Sequence, residues 1–326
     1  MNTGKIPHYD FIRYKAGKNN VDETASKNAE LIISLPSTRE SGLSYFHSFG
    51  VTKNYIVFME QAVTINFKKM LMAVIKNKPA TTGIVTEENL PTRIHIIDKH
   101  TGQAIEKKFL ADPQFTFHYI NAYEAVNETS RKREIRLDIS SYDAKHFDIN
   151  NFTFENMYAG KLIETKMLEA LAKRIIIPME TEASEVKCET RILNNETPFE
   201  LPVINYWKYN GLPYKYVYGT NQYRFPFSIV KLNVDSPKEV LEMKYSKAGI
   251  DFLPSEPIFV ENPNGNSEDD GVLLVMVLSS DKNDFLSVLD AKTLKEVARC
   301  EIPEDVKGAF TFHGFFADNE NFKALN

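Results

Sequence analysis

The chain has 326 residues, of which 43% are hydrophobic and 25% are charged, so it can bury a full-sized core as one large domain or two smaller ones. Its formal net charge of −5 provides no basic field, which argues against a nucleic-acid partner. A run of about 18 apolar residues occurs nowhere, which argues against a membrane-spanning helix.

Short apolar or alternating runs dominate the chain and predict β-strands. These runs lie at 31–35, 55–59, 93–97, 135–139, 214–218, 229–234, 272–278 and 285–289. Helical periodicity is convincing in only two segments, 67–76 and 157–173. The sequence therefore predicts an all-β fold class with little helix.

The segment 65–78 is short, apolar and flanked by lysines. It is too short to cross a bilayer. One interpretation is an interfacial helix whose lysines reach the membrane surface, which would give the protein a peripheral membrane contact. The other interpretation is an ordinary half-buried helix, and the sequence leaves both open.

Three strand-turn-strand units have the same pattern, at 96–106, 231–240 and 288–297. In each one an apolar strand enters a turn led by Asp98, Asn233 or Asp290, and a second strand follows. Their spacing is compatible with multiples of a propeller blade of about 40 to 50 residues. The pattern favours a β-propeller, although such hairpins also occur in other antiparallel folds.

Three of the seven histidines stand in closely related phrases. Each follows a phenylalanine and has an apolar residue two places on: Phe-His-Ser-Phe-Gly at 46–50, Phe-His-Tyr-Ile at 117–120 and Phe-His-Gly-Phe-Phe at 312–316. On a strand, the imidazole would share a face with that apolar residue. Neutral imidazole is a common metal ligand, and an all-histidine set suits iron, copper or zinc. Metal ligation and a buried core role both remain open, and a radial fold could bring the three together.

Five phrases resemble the carotenoid cleavage oxygenases, in that family's order. The resemblance is strongest to the animal branch, which holds the β-carotene oxygenases and the retinal pigment epithelium retinoid isomerase. The phrases are HSFGVTKNYIVF at 47–58, FHYINAYE at 117–124, FELPVINY at 199–206, PSEPIFV at 254–260 and TFHGFF at 311–316.

The resemblance implies a seven-bladed β-propeller with a non-haem iron, Fe(2+), on its axis. It implies His47, His118 and His313 as metal ligands. It also implies two glutamates behind the ligands, Glu200 paired with His118 and Glu256 paired with His313. A ligating imidazole usually gives its other N–H to such a carboxylate, which fixes the tautomer and the orientation of the ring.

The sequence departs from the family pattern at one point. The phrases that would carry a fourth histidine and a third outer glutamate are not found, and His8 stands in a phrase of another kind. We therefore expect residues 1–326 to be a single propeller domain that corresponds to the C-terminal two thirds of a family member. His95, His100 and His146 lie outside the family phrases, and we expect them to be surface or strand histidines.

The resemblance implies a dioxygenase that cleaves a double bond of a carotenoid or apocarotenoid with O2 to give two aldehydes. Tyr45, Phe117 and Phe312 flank the ligands and could line an apolar substrate tunnel, or could simply pack in the core. Three alternatives remain open: a retinoid isomerohydrolase, a non-catalytic carotenoid- or retinoid-binding pseudoenzyme, and a protein-binding propeller without metal.

The sequence also bears on the compartment. The cysteines, Cys188 and Cys300, form no motif, which favours a reducing environment. Residues 1–5 lack the apolar core of a signal peptide. We expect a cytoplasmic protein, with peripheral membrane attachment through 65–78 and a mitochondrial location both left open.

Overall fold

The computed structural model describes residues 6–14, 29–40, 42–151, 169–194, 197–247, 250–280, 283–306, 308 and 310–317. The strands of its first half are β1 (His8–Tyr14), β2 (Ala29–Pro36), β3 (Gly42–Ser44), β4 (Gly50–Val51), β5 (Tyr55–Glu60), β6 (Val63–Asn66), β7 (Ile84–Thr86), β8 (Thr92–Asp98), β9 (Lys108–Ala111), β10 (Gln114–Phe115), β11 (Tyr119–Val126) and β12 (Arg133–Asp143). Those of its second half are β13 (Leu171–Pro178), β14 (Glu185–Lys187), β15 (Glu189–Ile192), β16 (Glu200–Val203), β17 (Tyr216–Asn221), β18 (Ser228–Asn233), β19 (Val240–Lys244), β20 (Phe252–Pro254), β21 (Ile258–Glu261), β22 (Gly271–Ser279), β23 (Phe285–Asp290) and β24 (Glu296–Glu301). The helices are α1 (Phe67–Ile75) and α2 (Tyr206–Tyr209), with 3₁₀ turns at Ala80–Gly83 and Ile149–Asn151.

Four sheets follow one another along the described chain, and each contains a run of four antiparallel strands. Blade 1 is β4-β5-β8-β9, blade 2 is β11-β12-β13-β15, blade 3 is β16-β17-β18-β19 and blade 4 is β21-β22-β23-β24. Two smaller sheets, β1-β2 and β3-β6-β7, accompany them. Successive four-stranded antiparallel sheets are the building units of a β-propeller, so the predicted fold class is confirmed.

Neighbouring blades pack against each other through three apolar clusters. These clusters contain, among others, Val57 with Leu137 between blades 1 and 2, Tyr123 with Val230 between blades 2 and 3, and Ile229 with Leu273 between blades 3 and 4. Because a blade is covered on both faces, its middle strands are apolar at consecutive positions, and Ile96 and Ile97 of β8 are both fully buried. This explains why many of the predicted strands lack a clean alternation of apolar and polar residues.

The predicted elements largely match the structure. Every predicted strand overlaps an observed one, and α1 confirms the predicted helix at 67–76. Asp98 begins its turn as predicted, because its Oδ1 accepts hydrogen bonds from the backbone N–H groups of His100 and Thr101, at 2.9 Å each. Most of the predicted helix at 157–173 lies outside the described residues. The helix prediction is wrong for the last three residues of that segment, because β13 begins at Leu171 and continues the hydrogen bonding of blade 2.

A buried glutamate ties the β1-β2 sheet to blade 1. Glu60, at the end of β5, accepts from the backbone N–H of Thr38 at 2.9 Å and from the hydroxyl of Tyr9 at 3.1 Å. His95 of β8 lies 3.0 Å from the same carboxylate. Burial raises the pKa of Glu60, but the hydrogen bonds from His95 and Thr38 outweigh it and lower the pKa to about 2. His95 is therefore a strand histidine of the interior, in a structural contact with Glu60.

A second buried ion pair lies within blade 2. Arg174 Nε lies 2.7 Å from Asp138 Oδ1, and Arg174 Nη2 lies 2.8 Å from Asp138 Oδ2. The hydroxyl of Tyr214 also donates to Asp138 Oδ2, at 2.7 Å. Asp138 is fully buried, so this carboxylate depends on its protein partners rather than on water. Removing one partner of such a pair leaves an uncompensated buried charge.

We predict that Asp138→Ala lowers the free energy of unfolding by about 3–5 kcal/mol, because Arg174 stays buried and keeps only the exposed carboxylate of Asp235, 3.8 Å from its Nη1, as a counter-charge. Urea denaturation followed by circular dichroism measures the loss. The matched control is Glu180→Ala, which removes the exposed ion pair with Arg133 and should leave the midpoint close to that of the wild type. Equal losses in the two variants would contradict the importance of this buried pair.

Candidate metal centre

The structure brings three distant histidines together. One ring nitrogen from each of His47, His118 and His313 lies within 4.8 Å of the others. The ring centroid of His118 lies 5.3 Å from that of His47 and 5.1 Å from that of His313. The three residues lie in irregular segments rather than on strands: between β3 and β4, immediately before β11, and after β24. The expected strand placement is thus wrong, because all three histidines lie in segments that connect or follow strands.

A serine hydroxyl holds two of these segments in register. Ser48 Oγ donates to the carbonyl of Phe117 at 2.8 Å and accepts from the backbone N–H of Tyr119 at 3.2 Å. It therefore joins the residue after His47 to both neighbours of His118. The carbonyl of His118 in turn accepts from the backbone N–H of Ser140 at 3.0 Å. These bonds fix the backbone on which the two imidazoles stand.

Each of two histidines faces a carboxylate. Glu200, the first residue of β16, places Oε2 at 2.6 Å from Nδ1 of His118, and the same oxygen accepts from the backbone N–H of Leu201 at 2.8 Å. Glu256, between β20 and β21, places Oε1 at 3.1 Å from Nδ1 of His313. Because Nδ1 is engaged in both rings, Nε2 is the nitrogen that each ring can offer to a metal.

The electrostatics of two of the rings differ. Burial lowers the pKa of His47, and the positive charges of His118 and His313 lower it further, so that ring is neutral at pH 7. Burial also lowers the pKa of His118, but the hydrogen bond and negative charge of Glu200 raise it by more. Nε2 of His118 is buried and has no hydrogen-bond partner among the described residues. Three converging imidazoles with an unpartnered nitrogen fit a divalent metal such as iron.

An apolar cavity of about 670 Å³ opens beside the three rings. Its wall includes the predicted aromatic residues Tyr45, Phe117 and Phe312. Phe117 also packs against Phe115, at 4.7 Å between ring centroids, so the cavity and core interpretations both hold for this residue. Phe312 is 60% exposed. The cavity is large enough to bury a small organic ligand next to the histidines.

The wall also holds polar residues that the sequence analysis did not single out. Tyr142, Gln222 and Tyr223 line the cavity together with Glu200. No family phrase and no periodic pattern marks these three residues, so the sequence offered no signal for them. Among the other histidines, His8, His100 and His146 are exposed and lie outside the cluster.

Comparisons with known proteins agree with this fold. The family described as retinal pigment epithelial membrane protein matches residues 2–318. The mitochondrial carotenoid-cleaving dioxygenase of Mustela putorius furo is 31% identical, over 94% of this chain and 61% of that protein. The beta,beta-carotene 15,15'-dioxygenase of Gallus gallus is 34% identical, over 91% of this chain and 59% of that protein. This chain therefore spans about 60% of the length of these relatives.

Solved structures share the fold. A variant of the Synechocystis apocarotenoid oxygenase superposes with a TM-score of 0.67 at 22% identity, over 88% of this chain and 55% of that chain. Its cobalt-substituted form gives a TM-score of 0.64 at 22% identity. The fold is that of the β-propeller oxygenases among these solved structures. The chain belongs to the retinal pigment epithelial membrane protein family. The resemblance stated from the sequence is thereby confirmed.

We predict that His118→Ala abolishes metal binding, because it removes the buried ligand at the centre of the cluster. Anaerobic titration of the metal-free chain with Fe(II), followed by elemental analysis, should give about one iron per wild-type chain and almost none for the variant. His146→Ala is the control, since His146 is exposed and lies outside the cluster. Iron retained by His118→Ala, or lost from His146→Ala, would contradict the assignment.

Proposed function

We propose that this chain is the metal-binding part of a non-haem iron(II) dioxygenase that cleaves one carbon–carbon double bond of a carotenoid or apocarotenoid. The observation that carries the proposal is the convergence of His47, His118 and His313 beside an apolar cavity. The names of the relatives, carotenoid-cleaving dioxygenase and beta,beta-carotene 15,15'-dioxygenase, support the substrate and the reaction class.

The reaction balances without an external reductant. The double bond of the polyene breaks completely, and each of its two carbons gains one oxygen atom from the same O2 molecule. The products are two aldehydes, and no proton enters or leaves overall. Iron, when bound, would supply the activation of O2 that this reaction requires.

The side chains of this chain have three tasks in the proposal. His47, His118 and His313 hold the metal. Glu200 and Glu256 fix the orientation of two rings and offset the charge of a dication that neutral ligands leave uncompensated. The apolar wall, to which Phe117 contributes, holds the polyene and keeps water away from the reacting bond.

Two alternative functions would use the same cavity for different chemistry. A retinoid isomerohydrolase is the second candidate, because the sequence resemblance to the animal branch of the carotenoid cleavage oxygenases leaves it open. A non-catalytic carotenoid or retinoid binder is the third, because the cluster in the described residues has three imidazoles rather than the four that the family resemblance implies. Product analysis separates all three.

We predict that the iron-loaded chain converts β-carotene or an apocarotenal, under isotopically labelled O2, into two aldehydes that each carry one labelled oxygen. Rapid borohydride reduction traps the label before it exchanges with water, and mass spectrometry detects it. His118→Ala should yield no product, while His146→Ala should behave like the wild type. Formation of retinol from a retinyl ester would favour the isomerohydrolase, and polyene binding without turnover would favour the binder.

We also propose that α1 attaches the protein to a membrane from the cytoplasmic or organellar aqueous phase. Leu71, Val74 and Ile75 are each at least 60% exposed, which is unusual for apolar residues that share one short helix. The lysines around the helix are exposed as well: Lys68, Lys69, Lys76 and Lys78. In the described residues, no helix is both long enough and apolar enough to cross a bilayer.

The position of α1 suits the collection of a lipid-dissolved substrate. The 3₁₀ turn Ala80–Gly83 follows α1 closely, and Thr81 and Ile84 form part of the cavity wall. A helix whose apolar side chains enter the lipid would therefore bring the cavity near the membrane surface.

We predict that Leu71→Asp combined with Ile75→Asp lowers binding to anionic phospholipid vesicles by at least about tenfold, because two apolar side chains can no longer enter the lipid. Vesicle flotation measures the bound fraction. The control is Val297→Asp, which changes a residue of β24 that is 61% exposed, and it should bind like the wild type. Equal binding by all three proteins would contradict a membrane role for α1.

A further inference from the structure

Two tyrosine hydroxyls meet in the wall of the cavity. The hydroxyl of Tyr142 on β12 lies 2.6 Å from that of Tyr223, which follows β17. Both residues line the cavity together with Glu200 and His118. The ring of Tyr142 is almost fully buried and packs edge-on against Phe117, at 5.9 Å between centroids. The polar pair is therefore held in a largely apolar wall, next to the carboxylate that orients a candidate ligand.

The hydrogen bonds at this point leave one donor and one acceptor unmatched. Two phenols carry two O–H donors, and the contact between Tyr142 and Tyr223 uses one of them. Oε2 of Glu200 already accepts from His118 and from Leu201. Oε1 of Glu200 is buried and has no hydrogen-bond partner among the described residues. A buried carboxylate oxygen without a donor is costly, so the remaining phenol proton and Oε1 complement each other.

The negative charge of Glu200 acts on both phenols. Burial is the larger cause of the raised pKa of Tyr142, and the negative charge of Glu200 raises that pKa further. The same two causes, in the same order, raise the pKa of Tyr223. Both hydroxyls therefore keep their protons at neutral pH and can act as donors.

We propose that Tyr142 and Tyr223 are positioning residues for the metal centre. Tyr223 donates to Tyr142, Tyr142 donates to Oε1 of Glu200, and the carboxylate held at both oxygens fixes the ring of His118. Without the phenols, Glu200 would be held only through Oε2 and could rotate about its last side-chain bond. The inference rests on the proposed metal site, because the role assigned to the two tyrosines is to orient Nε2 of His118 towards the metal ion.

The test uses Tyr142→Phe, Tyr223→Phe and the double variant in the full chain. Phenylalanine keeps the ring packing and removes only the hydroxyl. Tyr245→Phe is the matched control, because Tyr245 is buried in another core cluster and its hydroxyl has no partner among the described residues. Co(II) is the probe, since its visible absorption reports ligand geometry directly.

We expect Tyr142→Phe to weaken Co(II) binding about tenfold and to change the visible band, because loss of an outer partner of a ligand costs about 10–100-fold in affinity. Tyr223→Phe should weaken binding less, by about threefold, because it acts through Tyr142. The double variant should bind no more weakly than Tyr142→Phe alone. Unchanged Co(II) binding and an unchanged visible band in Tyr142→Phe would overturn the proposal. It would also be overturned if the double variant bound Co(II) more weakly than Tyr142→Phe by the whole effect of Tyr223→Phe.

A measurement without metal separates this inference from the proposed function. In nitrogen NMR of the metal-free chain, the Nδ1–H signal of His118 should shift and broaden in Tyr142→Phe and stay unchanged in Tyr245→Phe. If the wild type bound no Co(II), the proposed function would fail, and the NMR result would still decide the positioning role. An identical His118 signal in Tyr142→Phe and the wild type would then overturn it.

Discussion

The bond between Nδ1 of His118 and Oε2 of Glu200 is the contact on which the rest of the site depends, because it crosses from one blade to the next. His118 stands at the start of β11 in blade 2, and Glu200 is the first residue of β16 in blade 3. A shift of either blade would break this 2.6 Å contact and turn the ring away from its neighbours. Glu256, just before blade 4, repeats the arrangement with His313. The orientation of these two rings therefore depends on carboxylates from other segments of the chain.

The interior contains charged groups that support the site indirectly. Asp138 and Arg174 are buried in blade 2, and Glu60 and His95 are buried in blade 1. In each pair the partners satisfy one another, so the blades keep a polar interior without access to water. The cavity beside the histidines is different, because most of its wall is apolar and its polar lining residues include Glu200, Tyr142 and Tyr223. That contrast is consistent with the proposed function, in which an apolar molecule would lie next to a metal ion.

Much of the fold follows from local sequence, because strands and turns are encoded by neighbouring residues. The apolar run at 272–278 becomes β22, and Asp98 leads its turn through backbone hydrogen bonds. The site is encoded differently. His47, His118 and His313 could be grouped through their similar local phrases and through phrases shared with a family, but no local periodicity connects residues so far apart. The contact between Tyr142 and Tyr223 could not be predicted at all, because it depends on how β12 meets the turn after β17. The burial of His95 depends in the same way on a partner in β5.

The most direct test of this account is the location of the metal in crystals of the chain grown anaerobically with Fe(II). An anomalous difference map at the iron absorption edge should show one strong peak bounded by the rings of His47, His118 and His313. Glu200 and Glu256 should remain on Nδ1 of His118 and His313 in the same crystals. A peak elsewhere, or an empty map in crystals whose three rings keep the arrangement described above, would contradict the central claim that these histidines form one metal site.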